Sequence, residues 1–339
     1  MKRIIALIAA VALTVSCLTA CGSGKKPGDD GTIHIVTTIF PEYDWVMSVL
    51  GDNPAGAQVK QLLDNGVDLH SYQPTVEDIL TISTCDLFIY VGGESDDWVA
   101  GVLREARNKN MKVINLLDVL GDSAKEEELV EGMQEEEHDH DHDHEDGDDH
   151  EHEHDHDDEE KEYDEHVWLS LRNANVFVKA ISDAMQKIDA AHADTYRSNA
   201  EAYCGKLSEL DKKYREAVDT ATVKTVLFGD RFPFRYLTDD YNLTYYAAFV
   251  GCSAETEASF ETIAFLSKKV DELKLSAVLT IENSDKRIAS TIVSNTSAKN
   301  QKILAMDSMQ STTTQNAKNG TTYLSVMEKN LEVLREALK

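Results

Sequence analysis

Twelve histidines stand in this chain of 339 residues, and eight of them are packed into one short acidic tract, so divalent-metal ligation is the first chemistry to consider. The tract holds His138, His140, His142, His144, His150, His152, His154 and His156, each flanked on both sides by Asp or Glu. Imidazole and carboxylate are both ligands for transition metals. A charged spacer would account for the acids alone. It would not account for histidine, which adds no charge at neutral pH. Almost nothing in the tract is apolar, and its like charges repel, so the sequence predicts a solvated, disordered insertion over 134–162 whose histidines form accessory, weak metal sites.

Only four histidines lie elsewhere: His34, His70, His166 and His192. His70 sits in Gly66-Val67-Asp68-Leu69-His70-Ser71-Tyr72-Gln73-Pro74, a loop after one predicted strand and before a helix, where binding residues are commonly placed. His166 lies in Asp164-Glu165-His166-Val167-Trp168, where the polar tract gives way to folded chain. Asp307 closes the apolar run Lys302-Ile303-Leu304-Ala305-Met306 and is a third candidate ligand. Taken singly, each has a plain alternative: a loop histidine can be a surface residue, and Asp before Ser can be a helix cap. His34 falls inside the first predicted strand and reads as a packed residue; His192 falls at a helix break and reads as a cap or surface group.

These residues need a scaffold, and the hydrophobic pattern supplies one. Strands are predicted at 32–38, 57–63, 86–91 and 112–116, with helices at 41–50, 75–83 and 96–108 between them. A long helical stretch follows at 173–220, with apolar residues at Val176, Ala180, Ile181, Ala184 and Ile188 and a break near 190–194. Its second piece, 194–218, would be about 37 Å long at 1.5 Å per residue, enough to bridge two domains. Alternation then resumes, with strands at 223–228, 243–249, 277–281 and 302–306 and helices at 259–273, 285–295 and 321–338. The fold expected is α/β: two similar lobes with mainly parallel sheets, joined by one long rigid helix, with a ligand in the cleft at the strands' carboxyl ends.

Composition narrows the setting. The formal net charge is −29, of which residues 134–165 carry −19 through twenty acids and one base. The rest is an ordinary acidic surface, which argues against a nucleic-acid partner. Residues 1–20 read as an export signal, with Lys2 and Arg3 ahead of a short apolar run. Leu18-Thr19-Ala20-Cys21 resembles a bacterial lipobox, which makes Cys21 the lipidated residue and 21–31 a flexible tether. No later segment reaches the ~20 apolar residues of a membrane helix, so the expectation is a folded body anchored outside the cytoplasmic membrane. Cys85, Cys204 and Cys252 remain; their spacing matches no zinc or redox motif, and they read as buried small residues. Whether Cys204 and Cys252 pair is left open.

Several motifs together resemble the metal-binding lipoproteins of bacterial zinc and manganese ABC importers. They are His70-Ser71-Tyr72-Gln73-Pro74-Thr75, Asp164-Glu165-His166-Val167-Trp168-Leu169-Ser170 and Met306-Asp307-Ser308-Met309. Val36-Thr37-Thr38-Ile39-Phe40-Pro41, and Tyr90-Val91-Gly92-Gly93 through Trp98, add to the match, whose order and spacing cover residues 30–339. The resemblance implies two α/β lobes, 32–190 and 221–339, joined by a linking helix at 191–220, with one divalent ion between them. It assigns His70, His166 and Asp307 as ligands. The remaining ligand belongs after the first strand of the second lobe, where this chain reads Gly229-Asp230-Arg231-Phe232-Pro233 with no histidine. Aligning Tyr236 without a gap puts Arg231, which cannot coordinate, at that position. A shift of one residue makes Asp230 the candidate; a water ligand, or pairing of Asp230 with Arg231 or Arg235, are the alternatives.

The resemblance implies a monomer that captures an ion, with Zn2+ ahead of Mn2+, and passes it to an ABC permease. Two histidines with two carboxylates form a harder set that suits manganese, whereas the imidazole-rich tract and the Irving–Williams order favour zinc. Two other classes were weighed. A metallohydrolase would keep an open coordination position beside a general base. Outside the tract there is no His-Glu-x-x-His, and the chain has neither a phosphate-cradling glycine loop nor Gly-x-Ser-x-Gly. A surface role in cell adhesion has only the predicted location behind it.

Overall fold

A computed structural model describes residues 31–134, 162–253 and 257–339. The export signal, Cys21 and the eight tract histidines lie outside the described residues. The first sheet contains β1 (His34–Thr37), β2 (Gln58–Gln61), β3 (Leu87–Tyr90) and β4 (Lys112–Asn115), all parallel in the order β2-β1-β3-β4. Between them run α1 (Phe40–Leu50), α2 (Val76–Thr84) and α3 (Trp98–Arg104). Sequence dictates much of this locally. Pro41 lies in the first turn of α1, where its missing N–H costs nothing. Thr75 and Asp78 form a reciprocal cap at the start of α2. His34 corrects one expectation: its side chain is exposed at the strand's start, while its backbone N–H donates to Asp86 Oδ2 at 2.9 Å.

The second sheet repeats the plan. It contains β5 (Thr225–Phe232), β6 (Thr244–Val250), β7 (Ala277–Ile281) and β8 (Lys302–Met306), again parallel, in the order β6-β5-β7-β8. Strand β5 runs four residues beyond its predicted end, through Gly229, Asp230 and Arg231 to Phe232, with a register shift between Phe228 and Arg231. A Cβ at Gly229 would come within 2.6 Å of the Ala289 backbone, so only glycine lets the next layer pack there. The outer helices of this lobe are α8 (Phe260–Leu273) and α9 (Arg287–Asn295).

The long helical stretch is two helices. α5 (Leu171–Ile188) starts at Ser170, whose side chain caps Asn173 N, and a single tight turn at Ala190–His192 leads into α6 (Ala193–Thr220). The 28 residues of α6 span about 42 Å. Its buried stripe, Tyr196, Ala200, Tyr203, Leu207, Leu210, Tyr214 and Val218, recurs every three or four residues and faces both lobes. Tyr203 donates to Asp44 Oδ2 on α1 at 3.1 Å, and Tyr214 to the Met327 carbonyl at 2.6 Å on the closing helix α11 (Tyr323–Ala337). That closing helix also returns to the first lobe, where Tyr323 Oη donates to the Trp168 carbonyl at 2.7 Å and its ring meets Trp45 edge-on. One apolar core therefore runs from Trp45 and Phe177 to Phe228 and Met327, with a smaller cluster of Leu227, Phe249, Leu266 and Ile292 beneath α8 and α9.

Three short helices had no clear periodic signal in the sequence: α4 (Leu116–Leu120), α7 (Arg235–Tyr241) and α10 (Thr314–Lys318). Among the described residues no helix is long and apolar enough to cross a membrane.

Candidate metal centre

His70 lies on a tight turn, Leu69–Ser71, which Asp68 caps by accepting from the His70 backbone N–H at 3.1 Å. The turn projects the ring towards the second lobe. His70 Nδ1 is 2.9 Å from Ser95 Oγ and 3.3 Å from Glu165 Oε2, and Glu165 is itself fixed by Ser95 N donating to Oε1 at 2.8 Å. His166 opens the turn Val167–Leu169 and is fully buried. Its Nδ1 lies 3.0 Å from Asp164 Oδ1, the same oxygen that accepts from its backbone N–H at 2.8 Å. Each imidazole thus turns one nitrogen to a buried carboxylate.

The other two nitrogens face each other, with His70 Nε2 3.2 Å from His166 Nε2. In the tautomer with N–H on Nδ1, donating to Ser95 Oγ beside Glu165 in His70 and to Asp164 in His166, both Nε2 atoms present lone pairs. Two nitrogens bound to one tetrahedral Zn2+ at 2.0–2.1 Å would be about 3.3 Å apart. The pair therefore already has the spacing of two ligands on one ion, oriented by the carboxylates as metal-bound histidines usually are.

Electrostatics agree. Burial pushes the His70 value down, but the Glu165 hydrogen bond and the Asp68 and Glu165 charges outweigh it and hold the ring above its ordinary value. Burial raises Glu165 and Asp68, yet His70 outweighs it in both cases, with Arg231 assisting at Asp68, so both carboxyls sit below theirs.

A third donor joins the pair. His70, His166 and Cys252 each offer a ligand atom within 4.8 Å of the others, the one such group of three among the described residues. Of the three cysteines expected as buried small residues, Cys85 is buried, whereas Cys204 and Cys252 are partly exposed. Cys85, Cys204 and Cys252 are all free, so Cys204 and Cys252 do not pair. Burial, with Glu127, Asp164 and Glu165 nearby, keeps the Cys252 thiol protonated well above the usual range. Gln310, another residue with no signal in the sequence, lies alongside. With its amide nitrogen donating to both Asp68 oxygens at 2.6 Å, its oxygen accepts from His166 Nε2 at 3.0 Å, a bond of the Nε2-protonated tautomer that an ion at Nε2 would displace.

The two carboxylates expected from the second lobe do not join the histidine pair. Asp307 follows β8, and its Oδ1 accepts from Met309 N at 2.8 Å while the Asn330 amide clasps its backbone. It faces Glu282, which accepts from Ser308 N and Oγ at 2.7 Å. Burial raises both carboxyls, and for Glu282 the Asp307 charge raises it further. Asp230 Oδ1 accepts from Arg231 N at 2.9 Å, and its Oδ2 is buried without a hydrogen-bond partner. It lines a cleft of about 490 Å³ together with Asp68, Arg231 and Glu282. Arg231 reaches across to Asp68 Oδ2 at 2.8 Å and to the Ser253 carbonyl at 3.4 Å.

Comparison with known proteins fits this geometry. Residues 35–337 match the model of the ZnuA family, described as zinc-uptake complex component A, periplasmic. The chain belongs to that family. It is 33% identical over 336 residues to the zinc-binding lipoprotein AdcA of Streptococcus pneumoniae, covering 99% of this chain and 61% of that protein. The chain thus spans about three fifths of the length of this curated relative. It is 29% identical to the high-affinity zinc uptake system protein ZnuA of Bacillus subtilis, over 98% of this chain and 96% of that one. Among solved structures, the Zn(II)-bound ZnuA-like domain of S. pneumoniae AdcA superposes with a TM-score of 0.67 at 28% identity, covering 91% of this chain and 99% of that one. The two α/β lobes agree with that superposition onto a ZnuA-like domain.

Proposed function

We propose that this chain is an extracytoplasmic binding protein that captures Zn2+ between its lobes and delivers it to an ABC importer permease. The observation that carries the reading is the pair of imidazoles 3.2 Å apart at Nε2, each backed by a carboxylate. Nitrogen donors without a free carboxylate beside them suit zinc better than manganese. The zinc-binding relatives point the same way. Asp307 and Asp230 remain candidate ligands only if the second lobe rearranges, since neither joins the histidine pair in this conformation. Lipidation at Cys21 would hold a monomer at the membrane, with the His-rich tract as a weak collector beside His166. Membership of an uptake family supports a carrier rather than a metallohydrolase.

Competitive titration of the metal-free full chain with a chromophoric chelator tests this. One tight zinc per chain is expected, displaced poorly by manganese, and lost in His70→Ala. A chain whose tight zinc survives both His70→Ala and His166→Ala would sink the proposal.

A further inference from the structure

We propose that the Cys252 thiolate is a third protein ligand to the captured ion, in place of the donor that Arg231 cannot supply. This rests on the zinc-capture reading above. Two imidazoles leave a tetrahedral ion two donors short. In this conformation the nearby oxygen donors do not complete the set. Asp68 holds Arg231 and the Gln310 amide, Asp307 holds the Met309 turn beside Glu282, and Asp230, whose Oδ2 is unpaired, does not join the histidine pair. Cys252 alone adds a ligand atom within 4.8 Å of both histidines.

The chain is built to bring that sulfur in. Strand β6 ends at Val250, and a Cβ on Gly251 would lie 2.8 Å from His166 Cε1 and 3.0 Å from Nδ1. Only glycine allows the backbone to rest on the His166 ring, and this delivers the next side chain to the pair. The Cys252 N–H is anchored to Glu127 Oε1 at 3.3 Å, which fixes the loop from the other side. A cavity of about 300 Å³ reaches His70 and Cys252 past Glu127 and Glu165, a carboxylate-lined approach for a cation. On binding, the S–H bond breaks, its proton leaves to solvent, and the sulfur lone pair forms the metal bond. Ligands of the site would stand about 3.3–3.7 Å apart, so closure by roughly 1 Å from the outer separation completes it. A sulfur donor in the set also disfavours manganese.

Cobalt substitution of the full chain provides the test, since the His-rich tract contains no cysteine. The first equivalent of Co2+ should bring up a near-ultraviolet thiolate-to-cobalt charge-transfer band. Cys252→Ser should remove that band and weaken zinc binding by about tenfold to 100-fold, and Cys252→His should restore affinity without the band. If wild-type protein shows no such band and Cys252→Ser binds zinc normally while His70→Ala does not, the thiolate ligand is excluded and zinc capture stands. If His70→Ala and His166→Ala also bind normally, both fail together. A Cys252→Ser chain that does not fold leaves the wild-type band, present or absent, to decide.

Discussion

The two lobes share a strand order but not a state of readiness. In the first lobe, His70 and His166 are locked by Glu165, Ser95 and Asp164, with their free nitrogens at ligand spacing. In the second, the residues at the equivalent strand ends are held by other partners: Arg231 by Asp68 across the cleft, Asp307 by Met309 N beside Glu282. Fixed geometry is what makes a site tight, because ordering the ligands has already been done by folding. On the proposed reading the first lobe sets affinity, and the second lobe sets which ion completes the shell and what must move to admit it.

That contrast can be broken in several places. The largest effect is expected at the imidazoles: His70→Ala or His166→Ala should lower zinc affinity about 100-fold in chelator competition, whereas Asp307→Ala should lower it less than about tenfold. Equal losses at all three positions would erase the difference between the lobes. Next, Asp164→Asn should cost about tenfold, because the His166 tautomer loses its orienting partner; an unchanged titration would show that the ring is held by packing alone.

Arg231→Ala acts in the opposite direction. It removes a positive charge beside the ion, relieving on the order of 1 kcal/mol and tightening zinc about fivefold in the same assay. If it weakens binding, the Asp68 ion pair is holding the cleft together rather than competing with the ion. Smaller still is a pH effect behind the first lobe. Glu42, on α1, is pushed up to about 8 by burial, with Asp96 adding to it. Its folded value lies above its unfolded one, so its contribution to stability is present at low pH and is lost as pH rises towards 8. Calorimetry should show the melting temperature of Glu42→Gln gaining on wild type between pH 5 and pH 8. Deleting 135–160 should leave the tight affinity unchanged while abolishing loosely bound zinc counted by equilibrium dialysis; loss of the tight zinc would move the site into the tract.

Much of this was legible in the sequence, for identifiable reasons. All eight strands were; the central ones are near-continuous apolar runs, as a parallel strand covered on both faces must be, as in Leu87-Phe88-Ile89-Tyr90, whereas the edge strand Gln58-Val59-Lys60-Gln61 is mostly polar. The far end of β5 was not, since Asp230 and Arg231 interrupt the pattern while the ladder continues past them. His70 and His166 stood out because histidine is scarce outside the tract and each sits at an element boundary. Cys252 did not: a cysteine after a strand looks the same whether it fills a gap or faces two imidazoles, and only the Gly251 contact with His166 distinguishes the two. Gln310 gave no signal, because its place depends on two carboxylate oxygens from a loop more than 200 residues away.

The tyrosine-studded spine of α6, with the Tyr323 return to Trp45 and Trp168, has a thermodynamic consequence. Since the main core is shared across the cleft, neither sheet can lose its packing without exposing the other's. The two halves should melt together, in one cooperative transition, with only the layer beneath α8 and α9 free to loosen early. An ion held between such halves acts on the whole molecule by mass action. At free zinc 100-fold above the dissociation constant it adds about 2.7 kcal/mol to global stability. On the proposed reading, zinc loading would be written into the melting curve of the entire chain, so that loaded and empty protein differ in how readily they unfold as well as in what they hold.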